Sequence, residues 1–76
     1  MATTIEITSP PEDTDSVIEF LRQHENIIGL KVQRGASISP QGDVITLTCP
    51  NRMQNRIVNG LIRFGVDERG ISISVS

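Results

Sequence analysis

Four stretches of this 76-residue chain alternate apolar and polar residues with a period of two, the pattern of a strand with one buried face. In TTIEIT, Ile5 and Ile7 point one way while Thr4, Glu6 and Thr8 point the other. In IIGLKVQ, Ile28, Leu30 and Val32 oppose Gly29, Lys31 and Gln33. In DVITLTC, Ile45, Leu47 and Cys49 oppose Val44, Thr46 and Thr48. In GISISVS, Ile71, Ile73 and Val75 oppose Ser72, Ser74 and Ser76. Each strand is thus expected to bury an aliphatic face and to leave outside a face made mostly of small hydroxyls.

Two further stretches change to helical spacing. DTDSVIEFLRQHE groups Val17, Ile18, Phe20 and Leu21. Ser16 and Glu19 fit a capping box there, with Thr14 and Asp15 as other candidate caps. Asp13 and Asp15 suit the positive end of the helix dipole. NRMQNRIVNGLIRFG carries Met53, Ile57, Leu61 and Phe64 on one face. Asn51 is its expected cap, with Gln54 three residues on, and Gly65 its expected stop. Gly60, inside this helix, costs about 1 kcal/mol against alanine. A close approach by a neighbouring element would explain it.

The element order is β-α-β-β-α-β. Strands with one apolar face and helices with one apolar stripe pack most simply as two layers, both helices on one side of a four-stranded antiparallel sheet. This is the ferredoxin-like α+β sandwich, a single domain over residues 1–76. Right-handed crossovers that each skip one strand give the expected strand order 4-1-3-2. The two βαβ halves are not alike in sequence.

QRGASISPQGDV, residues 33–44, joins the second and third strands. Its glycines raise the question of a phosphate-cradling loop. Such a loop converges backbone N–H groups at a helix N-terminus, as in GxxxxGK[ST]. Here a strand follows, and no lysine follows the glycine. The stretch reads instead as a hairpin, with Pro40 presetting the turn, Gly42 closing SPQG, and Gly35 marking a bulge or strand end.

Composition narrows the functions. Hydrophobic residues are 37% and charged residues 21%, which suits a folded globular domain rather than disorder. Phe20 and Phe64 are the only aromatics, so the core must be aliphatic. A net charge of -2 sets up no field that would draw nucleic acid or anionic lipid. The single cysteine, Cys49, excludes an internal disulfide and suggests a reducing, cytoplasmic setting. The start, MATTIEITSPPEDTD, has neither the basic nor the apolar segment of a signal peptide. No apolar run reaches the roughly 20 residues needed to span a membrane.

The stretch from Asp15 onward, with FLRQHENI closing a helix, the turn GASISPQGD, and LIRFGVDERGISIS, resembles the soluble N-terminal segment of a family of uncharacterised bacterial and archaeal hydrophobic membrane proteins. Gln41 stands where that pattern carries a second proline. The resemblance implies a short soluble domain ahead of membrane helices, at the cytoplasmic face, with a membrane domain or membrane protein as partner. It brings no catalytic residues.

Several residues carry candidate chemistry. Cys49 precedes Pro50 and a helix start, where a thiol can be activated; its parity with Ile45 and Leu47 instead points it inward as a small buried hydrophobe. Soft-metal carriers of this topology hold CxxC between the first strand and first helix; this chain has SPPEDTD there. His24, the only histidine, reads as a residue of the first helix's last turn rather than a ligand or base. Glu12, Asp13 and Asp15 lack the spacing of a calcium loop, and acids ahead of a helix have an ordinary reason to be there. No catalytic residues, metal or cofactor are therefore expected.

Arg52, Arg56, Asn59 and Arg63, spaced four, three and four apart, form one stripe on the second helix. They are the candidate ligand- or partner-binding residues, suited to phosphates, acidic lipid or carboxylates. The open sheet face, with Thr4, Glu6, Thr8, Lys31, Gln33, Thr46, Thr48, Ser72 and Ser74, has no aromatic for stacking bases, which argues against nucleic acid. It offers a surface for homodimerisation instead.

The chain is therefore expected to be a non-enzymatic regulatory or interaction domain that senses a ligand or docks on a membrane protein. Two alternatives remain. One is an acylphosphatase-like hydrolase, for which the loop after strand one lacks the arginine and Asn51 is the only asparagine in about the right place. The other is weak nucleic-acid binding through the arginine stripe.

Overall fold

A computed structural model of the protein describes residues 2–75. Strand β1 spans Ala2–Ser9, helix α1 Thr14–Arg22, β2 Ile28–Ile38, β3 Gln41–Pro50, α2 Gln54–Phe64 and β4 Ile71–Val75. Short 3-10 turns at Pro11–Asp13, Asn51–Met53 and Glu68–Gly70 lead into α1, α2 and β4. The sheet runs β2-β3-β1-β4 with every pairing antiparallel. That is the expected 4-1-3-2 order read from the opposite edge, in an α+β two-layer arrangement consistent with the ferredoxin-like fold. Ser76, which the alternation puts on the open face, lies outside the described residues.

The core is aliphatic. Ile5, Ile7, Ile45, Leu47 and Cys49 from β1 and β3 pack against Val17 and Leu21 of α1 and Ile57 and Leu61 of α2, all at most 1% exposed. Each large aliphatic side chain so buried contributes about 1.5–3 kcal/mol. Central strands β1 and β3 follow the alternation throughout. Leucine, isoleucine and valine set the i, i+4 stripes of both helices, as at Val17–Leu21 and Ile57–Leu61.

The glycines explain several departures. Gly29 has φ +65°, and the β2–β3 register slips between Ile28 and Lys31. One extra residue reverses the parity upstream. Ile28, expected on the core face, therefore pairs with Thr48 on the open face and is 66% exposed. Gly35, φ +67°, marks a second shift between Gln33 and Ser37, the bulge the sequence suggested. The hairpin turns at Ser39 and Pro40, joined by a cis peptide, with Ile38 paired to Gln41. Gly42 thus lies within β3 rather than closing the turn. A Cβ there would stand 2.4 Å from the Ser9 carbonyl oxygen, so its role is a close backbone approach.

Helix ends differ from expectation at the start and agree at the stop. Neither helix has a side-chain cap: Asp13 and Met53 hold the N-cap positions without a side-chain hydrogen bond. The Ser16–Glu19 capping box does not form, because the preceding 3-10 turn brings the chain into α1 already coiled. Asn51 lies in its own 3-10 turn and accepts a hydrogen bond from the Thr3 hydroxyl at 2.6 Å instead of capping α2. Helix α1 ends at Arg22, short of the expected Glu25. Gly65, φ 116°, ends α2 as expected, and Val66 N–H donates back to Leu61 O at 3.0 Å.

Strand β4 keeps its predicted parity but not its predicted burial. Ile71 is half-buried, whereas Ile73 is 39% and Val75 59% exposed. β4 has one neighbour, β1, and its apolar face runs beyond what the helices cover.

Candidate functional site

The glycine-bearing stretch 33–44 folds as a hairpin and carries its own anion. The Asp43 carboxylate, 4% exposed, accepts from Thr14 Oγ1 at 2.6 Å and from the Gly35 N–H at 2.8 Å. Arg34 Nη1 stands 3.5 Å away, and Arg34 Nη2 reaches Asp15 at 2.8 Å. These bonds hold the Asp43 carboxyl below the usual range, the Thr14 hydroxyl contributing most, then the Gly35 amide. The backbone donor that a phosphate loop would offer to a ligand is thus consumed inside the fold. Thr14 at the start of α1, the base of the hairpin and the end of β1 are fastened at one point.

The stripe expected on α2 is present. Arg56, Asn59 and Arg63 are exposed on the solvent side of α2, opposite Ile57 and Leu61, and exposed Arg52 precedes them in the 3-10 turn. Among the described residues, none of these three arginines forms an ion pair. The cationic face is therefore free to meet an external anion.

Other candidates are placed less favourably for chemistry. Cys49 is 1% exposed, and burial pushes its thiol pKa up, which keeps it protonated and shielded. His24 Nδ1 lies 3.3 Å from the Phe20 carbonyl oxygen, and its ring meets Phe20 edge-on at 5.1 Å. Asp15 is engaged by Arg34, and Glu12, Asp13 and Asp15 do not converge. Asn51 and the loop after β1 lie at opposite ends of the sheet: Ala2 pairs with Pro50 and Ser9 with Asp43. About 20 Å of strand separates them, so they cannot hold one phosphate between them.

The open face runs in cross-strand rows. One is Lys31–Thr46–Glu6–Ser72; another is Ile28–Thr48–Thr4–Ser74. Ile28 is the one apolar addition that the bulge brings to it.

Two further features stand apart from the expected site residues. A cleft of about 320 Å³ lies between the start of α1 and the end of α2, walled by Val17, Phe64 and Val66 and rimmed by Asp13, Ser16 and Asp67. Asp67 is already taken by Arg69, whose guanidinium stands 3.0 Å from it. The second feature is the contrast between the two sheet edges. Edge β2 has two register shifts, two left-handed glycines, Lys31 and Arg34. Edge β4 pairs with β1 without a shift from Ile71 to Val75 and bears no charge. The alternation ISISV and the edge position of β4 were visible in the sequence; the exposure of Ile73 and Val75 there was not.

The chain matches no protein-family model, no curated protein and no solved structure.

Proposed function

We propose that this is a non-enzymatic interaction domain that docks a protein partner through the outer edge of β4. The observation that carries this reading is the bare edge itself: straight, uncharged, and flanked by half-exposed Ile73 and exposed Val75. An unpaired strand edge offers a row of N–H and C=O groups, and folded proteins ordinarily blunt such edges with charge, proline or bulges. β2 is blunted in this way and β4 is not. A partner strand would gain main-chain hydrogen bonds for affinity and the Ile73 and Val75 side chains for specificity. The resemblance to the membrane-protein segment supports a membrane domain as one such partner at the cytoplasmic face.

A photo-crosslinking residue at Ser74, compared with one at Gln33 on the blunted edge, tests the reading in living cells. A discrete adduct from Ser74 and none from Gln33 supports it. No adduct from Ser74, or equal adducts from both, removes it.

A second reading rests on the arginine face of α2. Arg56 and Arg63, unpaired and exposed, suit an anionic membrane surface, where each arginine contributes about 1 kcal/mol. Sedimentation with vesicles of phosphatidylserine and phosphatidylcholine tests it. Binding that vanishes in pure phosphatidylcholine and in R56Q/R63Q supports it; equal binding to both vesicles, or none, excludes it.

A further inference from the structure

We infer that the occupant of the β4 edge is a second copy of this chain, paired antiparallel across a two-fold axis at Ile73 to make one continuous eight-stranded sheet. This rests on the docking reading above and specifies its partner.

The strand is complementary to itself. In antiparallel pairing centred on Ile73, each Ile73 meets its counterpart, Ile71 meets Val75 of the second copy, and Ser72 meets Ser74. Apolar side chains then meet only apolar ones on the helix side, and serines meet only serines on the open side. No like charges face each other, which would oppose pairing. Residues 71–75 hold no proline to remove a donor and no glycine to loosen the strand.

The rows of the sheet reach the edge unfinished. Leu47, Ile5 and Ile73 lie in one cross-strand row on the helix side. Leu47 and Ile5 are fully buried, yet the row ends at Ile73, 39% exposed. A second copy continues it as Ile73–Ile5–Leu47 and gives that isoleucine a neighbour. Helix α2 contributes too. Its Gly60 flank faces Phe20 of α1; Ile62, roughly 160° around the helix from Gly60, faces away from α1 and is 39% exposed. The α1 crossover from β1 to β2 passes over β3 and the α2 crossover from β3 to β4 passes over β1, so the flank of α2 away from α1 lies on the β4 side. Two copies of Ile62 thus border the same seam.

The blunted β2 edge settles closure. If both edges were open, β4 of one copy would pair with β2 of the next, and the sheet would grow without end. With the charged, bulged β2 closed to pairing, β4-to-β4 contact stops at two copies.

Sedimentation equilibrium of the intact chain from about 1 µM to 1 mM tests the inference, with I73K and V75K alongside and far-UV dichroism to show that each variant is folded. The expected result is a mass rising to twice 8.3 kDa, with the dissociation constant raised at least tenfold in each variant. K31E on the other edge should leave it unchanged. A mass of 8.3 kDa throughout, or a dimer indifferent to both lysine variants, overturns the inference. A monomer that still gives an adduct with a different chain from Ser74 removes the second copy while leaving the docking reading in place; a monomer with no adduct removes both.

Discussion

A methyl group on Gly60 would stand 2.7 Å from Cζ of Phe20. The two helices touch at this point, and Phe20 is hemmed in there. Its ring stacks on Phe64 at 5.4 Å and meets His24 edge-on at 5.1 Å. Gly60 is therefore a packing residue, although glycine weakens the helix that carries it.

The first prediction follows directly. Gly60→Ala gains about 1 kcal/mol of helix propensity but displaces the Phe20 ring, and overpacking costs about 1–3 kcal/mol. The expected net effect in the wild-type background is destabilising. In an F20A background the same substitution should stabilise by up to about 1 kcal/mol. A urea double-mutant cycle measures the coupling; G60A raising stability in both backgrounds would refute the contact.

The hairpin glycines should separate by mechanism. Gly35 has φ +67° with nothing within 4 Å of an added Cβ, so G35A meets only the backbone penalty, about 1–2 kcal/mol. Gly42 would drive a Cβ into the Ser9 carbonyl, which is backbone and cannot swing aside. G42A should cost more than G35A, measured by thermal unfolding of the two side by side. Equal losses would contradict the close approach of Gly42 to the Ser9 carbonyl.

Asp43 predicts an acid limb of stability. Its carboxyl titrates below the unfolded value of about 3.9. The stability it provides is therefore complete above that value and is lost as pH falls through the lower folded value. D43N should be less stable at neutral pH, yet flatter in its response below about pH 4. Urea midpoints across the acid range read this. The Asp67 carboxyl is also held low by Arg69, but that pair is exposed and contributes little. Parallel curves for wild type and D43N would contradict the role given to Asp43.

Cys49 should react only when the chain opens. Buried, with its thiol pKa raised, it offers little thiolate. Alkylation in native buffer should be slow and should accelerate sharply in urea. Replacement by serine buries an extra polar group and should cost about 1–3 kcal/mol, whereas alanine leaves only a small cavity. Rapid alkylation of the native chain would contradict the burial.

The central strands were readable because nothing interrupts their period: Ile5, Ile7, Ile45, Leu47 and Cys49 all face the core as the alternation requires. The hidden parts depend on long-range geometry. Ile28 moved to the open face because the bulge at Gly29 inverted the parity, and a glycine inside an alternating run was the only signal. The Asp43–Thr14 bond joins residues 29 apart in sequence, and no local spacing announces it. Asn51 was expected to cap its own helix, but Thr3 across the sheet took its side chain. The arginine stripe was legible since Arg56, Asn59 and Arg63 share one helix face by spacing alone. The edge position of β4 followed from the expected 4-1-3-2 order, but the exposure of Ile73 and Val75 did not, because exposure at an edge depends on what the rest of the fold leaves uncovered.

Amide hydrogen exchange of residues 71–75 at low and high protein concentration tests the docking edge most directly. Pairing of two copies through β4 predicts that exchange in β4 slows as concentration rises while exchange in β2 does not change. Exchange in β4 that is independent of concentration would contradict it.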